Sequence, residues 1–456
     1  MITKKVEVLI VGAGQAGIAL SEHLTKAKVS HIVLERDRIA ERWRTERWDS
    51  LVANGPAWHD RFPSMKITGV EDDEFASKDQ MATYFEEYAA TIGAPVRTGV
   101  EVTDVDRKEH VPGFTVQTTE GTWDARFVVA ATGPFQKPVI PAVVEDSAGI
   151  HQIHSSNYYR PGQLPDGGVL VVGAGSSGVQ IADELRQANR EVYLAVGPHD
   201  RPPRRYRNRD FVWWLGVLGK WDMPTPPKGA EHVTISVSGA NGGETVDFRD
   251  LAANGVTLVG RAGPWSNGVM KFADDLAENI HAGDNNYLSL LREADEYIEA
   301  HGLDLPPEPE AHELGLDPVC VTKPLRELNL AEAGVTSIIW ATGFSQDYSW
   351  LHVDSFDEKG RPIHQRGVAK AEGVYFLGLP WQSRRGSSFI WGVWHDARYI
   401  ADQIQIQRTY AAYSGNAARI EKPRSTATTN VPGSEISETL PPEADPVITN
   451  KAVSTH

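Results

Sequence analysis

The sequence has 456 residues, 41% of them apolar, and a formal net charge of −16. This length and composition are typical of a globular protein large enough for two domains, and the acidic charge argues against a basic surface for nucleic acid. The single cysteine, Cys320, excludes an intramolecular disulfide, a Cys-x-x-Cys redox pair and a cysteine-rich zinc site. We expect a cytoplasmic protein, since no signal-peptide pattern precedes the first strand and no apolar run approaches the length of a membrane span.

The first element is a predicted strand, Val6–Val11, which leads into the glycine-rich loop Gly12–Gly17 and then into a stretch with helical periodicity. In such a unit the first glycine permits a tight turn and the second lets backbone N–H groups approach a pyrophosphate. The third glycine lets the helix pack closely on its strand. The sequence therefore predicts a bound dinucleotide at this loop.

The next predicted strand, His31–Leu34, ends at Glu35. A carboxylate at this position accepts hydrogen bonds from the ribose hydroxyls of an adenosine and repels a 2′-phosphate. FAD or NAD is therefore favoured at the first loop. The alternative is that Glu35 is a solvated acid at a strand end.

A second loop of the same kind, Gly173–Gly178, follows the apolar run Val169–Val172. The next predicted strand, Glu191–Val196, ends without an acid and is followed by several arginines, of which we single out Arg204 and Arg205. Cations beside the adenosine would pair with a 2′-phosphate, so NADPH is favoured over NADH at this loop. The alternative is a solvated basic loop.

Two segments, Phe127–Gly133 and Ile338–Phe344, contain apolar strands that close on Ala-Thr-Gly. Small residues at a strand end allow a cofactor or a crossing chain to come near the backbone, although a simple exit turn would look similar. Because these segments bracket the second loop, we predict an α/β fold with two nested Rossmann-like domains, one split by insertion of the other. The predicted boundaries are 1–160 and 321–413 for the first domain and 161–320 for the second.

The C-terminal part of the chain divides into a helix and a tail. Apolar residues recur at helical spacing up to Ile404, which predicts a helix that begins near Gly386–Trp391 and packs inward. Residues 414–456 contain no aromatic residue and are rich in Ser, Thr, Pro, Ala and Glu, so we predict a disordered tail.

The two loops, Glu35 and the two Ala-Thr-Gly strand ends together resemble the class B flavoprotein monooxygenases, which have a glutathione-reductase-like two-domain fold. Residues 1 to about 410 are similar to a bacterial branch of cation-transport-associated flavoproteins. The matching phrases are His154–Tyr158, Gln163–Pro165, Phe376–Trp381 and Arg385–Ser387. The resemblance implies FAD at the first loop and NADPH at the second.

The resemblance also assigns roles to matching residues. Trp43 falls beside the expected flavin diphosphate. Asn54 resembles a flavin-facing asparagine whose amide hydrogen-bonds the reduced flavin or the nicotinamide, with a turn asparagine as the alternative. The predicted catalytic residues are Asn54, Arg385 and Ser387. The predicted cofactor-binding residues are Gly12, Gly14, Gln15, Ala16, Gly17, Glu35, Arg36, Trp43, Thr132, Gly133, His154, Gly173, Gly175, Ser176, Ser177, Gly178, Arg204, Arg205, Ala341, Thr342, Gly343 and Trp391.

One departure concerns the identifying sequence of this superfamily, Phe-x-Gly-x-x-x-His followed after three residues by an aromatic residue. His154 and Tyr158 fit this pattern, but Ala148 and Ile150 replace the Phe and the Gly. We expect His154 in an interdomain linker, where it either transmits domain position or is simply packed. No metal site is expected, because His151 and His154 lack acids or cysteines at metal-ligand spacing.

The implied reaction is reduction of FAD by NADPH, formation of a C4a-(hydro)peroxyflavin with dioxygen, and transfer of one oxygen atom to a small organic substrate. We expect oxidation at nitrogen or sulfur of an amine or heterocycle, ahead of ring hydroxylation or Baeyer-Villiger insertion. Tryptophan-rich segments at 213–221 and 381–394 could line an aromatic pocket, although core packing is the commoner fate of tryptophan.

Two other functions stay open at this stage. An NADPH-dependent flavin reductase or oxidase would pass electrons to a quinone, a metal or oxygen without oxygenating a substrate. A flavin-binding sensor or transport accessory would not be an enzyme at all. The oligomeric state is also open, with a homodimer as one option.

Overall fold

The computed structural model describes residues 3–145, 148–227 and 234–413, and the predicted tail lies outside the described residues. The described residues up to Arg408 form one compact body. The strands are β1 (Lys4–Val11), β2 (His31–Leu34), β3 (Val96–Arg97), β4 (Val102–Arg107), β5 (Phe114–Thr118), β6 (Gly121–Ala130), β7 (Lys137–Pro138), β8 (His151–His154), β9 (Gly168–Val172), β10 (Val192–Ala195), β11 (Arg205–Tyr206), β12 (Arg209–Asp210), β13 (Val256–Val259), β14 (Ala262–Ser266), β15 (Val269–Phe272), β16 (Glu327–Asn329), β17 (Val335–Trp340), β18 (Phe344–Ser345), β19 (Leu351–His352), β20 (His364–Gln365), β21 (Val368–Ala369) and β22 (Val374–Phe376). The helices are α1 (Gln15–Lys26), α2 (Glu41–Thr45), α3 (Lys78–Thr91), α4 (Ser176–Gln187), α5 (Phe211–Val217), α6 (Phe248–Ala253), α7 (Leu276–His301), α8 (Val319–Thr322) and α9 (Ile390–Ala412).

The first sheet has the strand order β19-β4-β5-β6-β1-β2-β3, and β22 also pairs with β6. Strand β1 lies between β2 and β6 and is parallel to both. Its apolar residues alternate between two cores: Val8 and Ile10 pack with residues of α1, α3 and α9, whereas Leu9 and Val11 pack with residues of β4 and β5. Burial on both faces explains why the second half of β1, residues 8–11, is a continuous apolar run rather than an alternating one.

The second sheet has the strand order β13-β10-β9-β17-β8, and all of its strands are parallel. Strand β9 lies at its centre and is buried along its whole length. Each sheet therefore carries one glycine loop at the carboxyl end of a central strand, where ligands of open α/β sheets bind. The prediction of an α/β fold with two nested Rossmann-like units is confirmed.

The sheet memberships differ from the predicted boundaries. Strand β8, before residue 160, and strand β17, after residue 320, both belong to the second sheet, and the first sheet resumes only at β19. The set of strands of the second unit therefore extends from 151 to 340. A parallel strand that follows a long crossover carries no local signal for the sheet that it joins, which is why the sequence misplaced these two strands.

Helix α9 begins at Ile390, within the predicted range, and follows a short 3₁₀ turn, Arg385–Ser388. Across residues 3–145, 148–227 and 234–413, no helix has the combination of length and apolar character needed to cross a membrane.

Candidate functional site

The first glycine loop joins β1 to α1. Gly12 has a φ of +105°, which favours glycine, and a Cβ there would lie 2.7 Å from the carbonyl oxygen of Ala131. A Cβ on Gly17 would lie 1.9 Å from the carbonyl oxygen of Gly12, so α1 can approach the loop only if Gly17 has no side chain. At Gly14 nothing lies within 4 Å of a Cβ, and no side chain caps α1. The N-terminus of α1 is therefore accessible to an anion.

A cavity of about 610 Å³ lies in front of this loop, a volume typical of cofactor sites. Ser388, directly before α9, belongs to its wall, and the Ser388 carbonyl accepts a 2.8 Å hydrogen bond from Gln15 Nε2. Gly17, the third glycine of the loop, does not line the cavity. The predicted residues that line the cavity are Gly12, Gly14, Gln15, Ala16, Glu35, Arg36, Trp43, Thr132 and Gly133.

The charged groups of the cavity suit the two ends of a dinucleotide. Glu35 lies at the end of β2, where its carboxylate accepts hydrogen bonds from the backbone N–H of Ala13 (2.8 Å) and of Asp37 (3.0 Å) and keeps lone pairs for further donors such as ribose hydroxyls. Arg47 also lines the cavity; burial lowers its pKa to about 10, so it stays cationic at neutral pH. The donors, the carboxylate and the cavity volume together fit FAD.

The second glycine loop joins β9 to α4 and repeats the turn of the first. Gly173 has a φ of +109°, and a Cβ there would lie 2.4 Å from the carbonyl oxygen of Ala341. A Cβ on Gly178 would lie 1.8 Å from the carbonyl oxygen of Gly173. Helix α4 also begins without a side-chain cap, so Ser176, Ser177 and the loop offer backbone donors to a pyrophosphate.

The surroundings of the second loop are different, because residues 234–239, here called the crossing segment, lie against it. A Cβ on Gly175 would meet Thr234 Cγ2 at 3.2 Å. Ser176 Oγ donates to the carbonyl of Ile235 (2.7 Å), and Ser236 Oγ donates to the carbonyl of Ala174 (2.5 Å). The crossing segment therefore forms one side of any site at this loop.

The arginines after β10 are mostly engaged inside the fold. Arg204 is only 2% exposed, and its guanidinium donates to Asp210 Oδ2 and lies within 5 Å of the ring centroids of Phe75 and Phe211. Because Asp210 already neutralises its charge, Arg204 is not available to a 2′-phosphate, and the predicted contact is wrong. Arg205, in β11, is exposed.

Asn54 is half-buried and lies between the two units rather than in the wall of the 610 Å³ cavity. Its side-chain Oδ1 accepts a 2.9 Å hydrogen bond from Gln180 Nε2, and its backbone carbonyl accepts one of 2.7 Å from Arg204 Nη1. Gln180 is four residues, about one helical turn, beyond Ser176 in α4. The structure thus brings Asn54 from the first unit to the N-terminal end of the helix that follows the second loop.

The other two predicted catalytic residues have structural partners. Ser387 is fully buried, and its Oγ accepts hydrogen bonds from the backbone N–H groups of Ser383 and Arg384. Its hydroxyl therefore stabilises the turn before α9, contrary to the predicted catalytic role. Arg385 pairs with Asp200 at 3.3 Å and lines a small separate cavity of about 70 Å³. Burial lowers the pKa of Arg385, and Asp200 opposes that shift.

His154 ends β8 and is buried. Its Nδ1 accepts the backbone N–H of Ser156, so Nε2 carries the proton and donates to the carbonyl of Gly343 at 2.9 Å. Burial lowers the pKa of His154, so the ring is neutral at neutral pH. The contact joins β8 to the Ala-Thr-Gly end of β17, where Thr342 Oγ1 donates to the carbonyl of Val139. His154 thus packs inside the second unit and does not line the 610 Å³ cavity.

The tryptophan-rich segments divide between core and an aromatic cluster. Trp214 is a core residue whose indole N–H donates to the carbonyl of Tyr206. Trp394 is partly buried against the core, and its indole N–H donates to Glu22. The aromatic cluster consists of Trp221, Phe389, Trp391 and His59. The His59 ring stacks on Trp221 at 5.5 Å and lies 5.4 Å from Trp391, whose indole N–H is buried and has no partner among the described residues.

Sequence reasoning missed two features at this junction. Gln180 is a polar residue inside the buried face of α4, between Val179 and Ile181, and this position was its only signal. The pair His59–Asp60, with 2.8 Å between Nδ1 and Oδ1, follows Asn54 in the same loop and carried no signal beyond adjacency. Within the described ranges, no group of three or more His, Cys, Asp or Glu side chains could hold a metal ion.

Comparisons with known proteins agree with this geometry. Residues 9–212 match the family of pyridine nucleotide-disulphide oxidoreductases. An uncharacterised CzcO-like oxidoreductase of Geobacillus kaustophilus is 34% identical over 403 residues, which are 88% of this chain and 98% of that protein. A probable indole-3-pyruvate monooxygenase of Arabidopsis thaliana is 29% identical over 425 residues, 88% of this chain and 90% of that protein.

Solved structures show the same fold at low sequence identity. The flavin-containing monooxygenase from Stenotrophomonas maltophilia superposes with a TM-score of 0.61 at 19% identity, over 89% of this chain and 100% of that chain.

Proposed function

Because this chain belongs to the CzcO-like branch of the flavin monooxygenase-like oxidoreductases, we propose that it oxygenates a small organic substrate at the nitrogen or sulfur of an amine or heterocycle. It is an enzyme, and its cofactors are FAD and NADPH. Dioxygen is the second substrate. The first loop binds FAD and the second binds NADPH.

The observation that carries this proposal is the hydrogen bond between Asn54 and Gln180. It joins a loop of the FAD-binding unit to the helix whose N-terminus receives the NADPH pyrophosphate. Hydride donor and hydride acceptor must come within contact distance of each other, and Asn54–Gln180 is the side-chain contact between the two units that lies at the helix following the second loop.

The cysteine content favours oxygen over a disulfide as the electron acceptor. Electron transfer through a protein dithiol needs two cysteines, and Cys320 is the only cysteine of the sequence. Cys320 is also free and only partly exposed. Electrons that reach the flavin therefore have no protein dithiol to pass to.

Bound FAD would supply the redox chemistry, namely acceptance of hydride from NADPH and reactivity toward dioxygen. The protein binds the phosphates at the two uncapped helix ends and orients the FAD ribose through Glu35. Ser388 lines the cavity directly before Ile390, so the N-terminal end of α9 directs its partial positive charge toward the cavity and stabilises negative charge there. In the proposal, the Asn54 amide N–H donates to the flavin or the nicotinamide at the junction of the units.

The aromatic cluster supports the choice of substrate. Its rings pack on one another just before and at the start of α9, and in the proposal they form the apolar side of the substrate site. An apolar side limits the entry of water, and with it the loss of reducing equivalents as hydrogen peroxide. Amine nitrogens and thioether sulfurs carry lone pairs that react with an electrophilic oxygen without a general base. Flat, weakly polar heterocycles also suit a wall of indole rings.

The test is a balance of products against NADPH. We expect purified enzyme with FAD to consume NADPH and dioxygen and to yield one N- or S-oxide per NADPH with at least one member of a panel of amines, thioethers and heterocycles. Isotopically labelled dioxygen should supply the product oxygen. The same panel without oxygen is the control, and it should give no product.

A different balance would contradict the proposal. If all NADPH electrons appeared as hydrogen peroxide or as reduced quinone with every substrate, the enzyme would be a reductase or oxidase. If ketones gave esters while amines and thioethers gave no product, the enzyme would still be an oxygenase, but the proposed oxidation at nitrogen or sulfur would be wrong.

A further inference from the structure

The backbone around Asn54 is fixed from three sides. The N–H of Ala53 donates to the carbonyl of Ala76 at 2.7 Å, and Arg204 Nη1 donates to the carbonyl of Asn54 itself. On the third side, Gly239 of the crossing segment approaches so closely that a Cβ there would lie 2.2 Å from the carbonyl oxygen of Ala53. None of these contacts involves the Asn54 carboxamide, whose direction is therefore set separately.

Gln180 determines the direction of that carboxamide. Its Nε2 donates to the carbonyl of Val237 at 2.7 Å and to Asn54 Oδ1 at 2.9 Å. A backbone carbonyl can only accept, so the contact with Val237 fixes which end of the Gln180 amide is the nitrogen. Both hydrogens of Gln180 Nε2 are then used, and the Asn54 atom that faces Gln180 must be the oxygen.

The donor end of Asn54 consequently points away from Gln180. Among the residues that the structure describes, Asn54 Nδ2 has no hydrogen-bond partner, whereas Gln180 is buried with both of its N–H groups engaged. A half-buried amide N–H₂ held in a fixed direction is a donor prepared for a ligand.

We propose that Gln180 is a positioning residue that orients the Asn54 carboxamide so that its N–H₂ group, and not its oxygen, faces the bound cofactors. This inference rests on the proposed function, since it assigns the donor of Asn54 to the FAD and NADPH junction. The carbonyl of Val237, in the crossing segment, fixes the orientation of the Gln180 amide. The crossing segment therefore also determines which end of the Asn54 carboxamide faces the cofactors.

The experiment compares two substitutions of Gln180 with the same substitutions of Gln187. Gln180→Met keeps the length of the side chain and removes both donors. Gln180→Glu replaces the donor by an acceptor at neutral pH, so Asn54 must turn its N–H₂ toward Glu and its oxygen toward the cofactors. Gln187 is an exposed residue of the same helix that bonds only Asp183, which makes it the matched control.

Two signals should be measured beside thermal unfolding and FAD content. The first is the share of NADPH electrons released as hydrogen peroxide in the presence of substrate or, before one is known, the rate of flavin reduction by NADPH without oxygen. The second is the absorbance spectrum of the bound oxidised FAD with and without NADP⁺, which reports the polarity beside the flavin independently of turnover.

We expect Gln180→Glu to change the FAD spectrum and to slow reduction or raise peroxide release by about tenfold, the effect of one misdirected hydrogen bond. Gln180→Met should have a smaller effect, because both directions of Asn54 remain accessible. Asn54→Asp, which places a carboxylate oxygen where N–H₂ stood, should reproduce Gln180→Glu. Both Gln187 variants should match the wild type.

The outcomes separate this inference from the proposed function. If Asn54→Asp is impaired while Gln180→Glu and Gln180→Met match the wild type, Gln180 has no positioning role and the inference is overturned. If Asn54→Asp and Asn54→Ala also match the wild type, the role of Asn54 in the proposed function falls as well. If Gln180→Glu fails to fold, a wild-type FAD spectrum in Gln180→Met would overturn the inference by itself.

Discussion

The two glycine loops share a backbone design and differ in what surrounds it. In each, the third glycine is enforced by contact, since a Cβ on Gly17 or Gly178 would lie 1.9 or 1.8 Å from the carbonyl oxygen of the first glycine. The middle glycines differ: Gly14 borders the 610 Å³ cavity, whereas Gly175 lies against Thr234 of the crossing segment.

This difference shows what the motif encodes and what it leaves to its neighbours. The motif supplies an anion-binding turn, and residues outside the motif distinguish the two sites: Glu35 at the first loop and the crossing segment at the second. A large cavity with a carboxylate at its end suits FAD as a resident cofactor. A loop bordered by a hydrogen-bonded crossing segment suits NADPH, which must arrive and leave in every turnover.

The largest expected effect comes from replacing the third glycine of each loop by alanine. Gly17→Ala should yield protein without FAD, because overpacking against the Gly12 carbonyl costs about 1–3 kcal/mol or more and displaces α1. Gly178→Ala should keep its FAD and lose reduction of the flavin by NADPH. Absorbance of bound FAD per chain, and the rate of flavin reduction without oxygen, measure the two losses.

Gly14→Ala is the control for this pair. Its φ of −81° suits alanine, and nothing lies within 4 Å of the added Cβ, so the protein should fold and lose only affinity for FAD. If Gly178→Ala released FAD as completely as Gly17→Ala, the two loops would not act separately, and the contrast between them would fail.

The second prediction concerns the two neighbouring arginines of the second unit. Arg204→Met should lower the free energy of unfolding by about 3–5 kcal/mol, because it leaves the Asp210 carboxylate, only 10% exposed, without its cation. Arg205→Met should leave stability unchanged and raise the KM for NADPH several-fold relative to NADH, if the exposed guanidinium meets the 2′-phosphate. Urea unfolding and the two KM values distinguish the roles.

A double variant checks the assignment of Arg204. Arg204→Met combined with Asp210→Asn removes the unpaired charge and should recover part of the lost stability. A selective loss of NADPH binding in a stable Arg204→Met protein would instead restore Arg204 as a phosphate ligand.

The third prediction tests the carboxylate that distinguishes the first loop. Glu35→Gln should weaken FAD binding by about ten- to hundredfold, because hydrogen bonds to a charged acceptor contribute about 1.5–3 kcal/mol. Titration of FAD-free protein with FAD measures the Kd. Glu101→Gln makes the same charge change at an exposed residue of the same cavity, and its Kd should stay near that of the wild type. Equal losses in both variants would mean that general charge, and not the ribose contact, is what matters.

Much of the fold could be predicted because its signals are local. Gly12, Gly173 and Glu35 each stand next to the strand that positions them, so periodicity and spacing sufficed. The errors concern residues whose roles depend on distant partners. Arg204 resembles a free cation in sequence and is paired with Asp210 and flanked by Phe75, while Gln180 gains its role only through Asn54.

The smallest expected effect is a pH dependence that the two units share. Burial lowers the pKa of His154 in the second unit and of His31 in the first, so both rings bind a proton less readily in the folded than in the unfolded chain. Below about pH 6.5 the unfolded chain binds more protons than the folded one, and stability falls as the pH decreases. His154→Gln and His31→Gln should each reduce the slope of the unfolding free energy against pH on the acid side. The reduction should correspond to at most one bound proton, and urea unfolding between about pH 7 and about pH 5 measures it.

His352 gives this prediction a control of opposite sign. It is exposed, and the neighbouring Asp106 raises its pKa, so its contribution is present at acid pH and is lost as the pH rises through the folded value. His352→Gln should therefore lower stability slightly on the acid side only and steepen the profile that the buried histidines produce, with a small amplitude because exposed pairs are weak. A His154→Gln profile parallel to that of the wild type would show that acid sensitivity arises elsewhere. Flattening by His154→Gln and not by His31→Gln would assign the acid sensitivity to the second unit, and so sharpen the contrast between the two units.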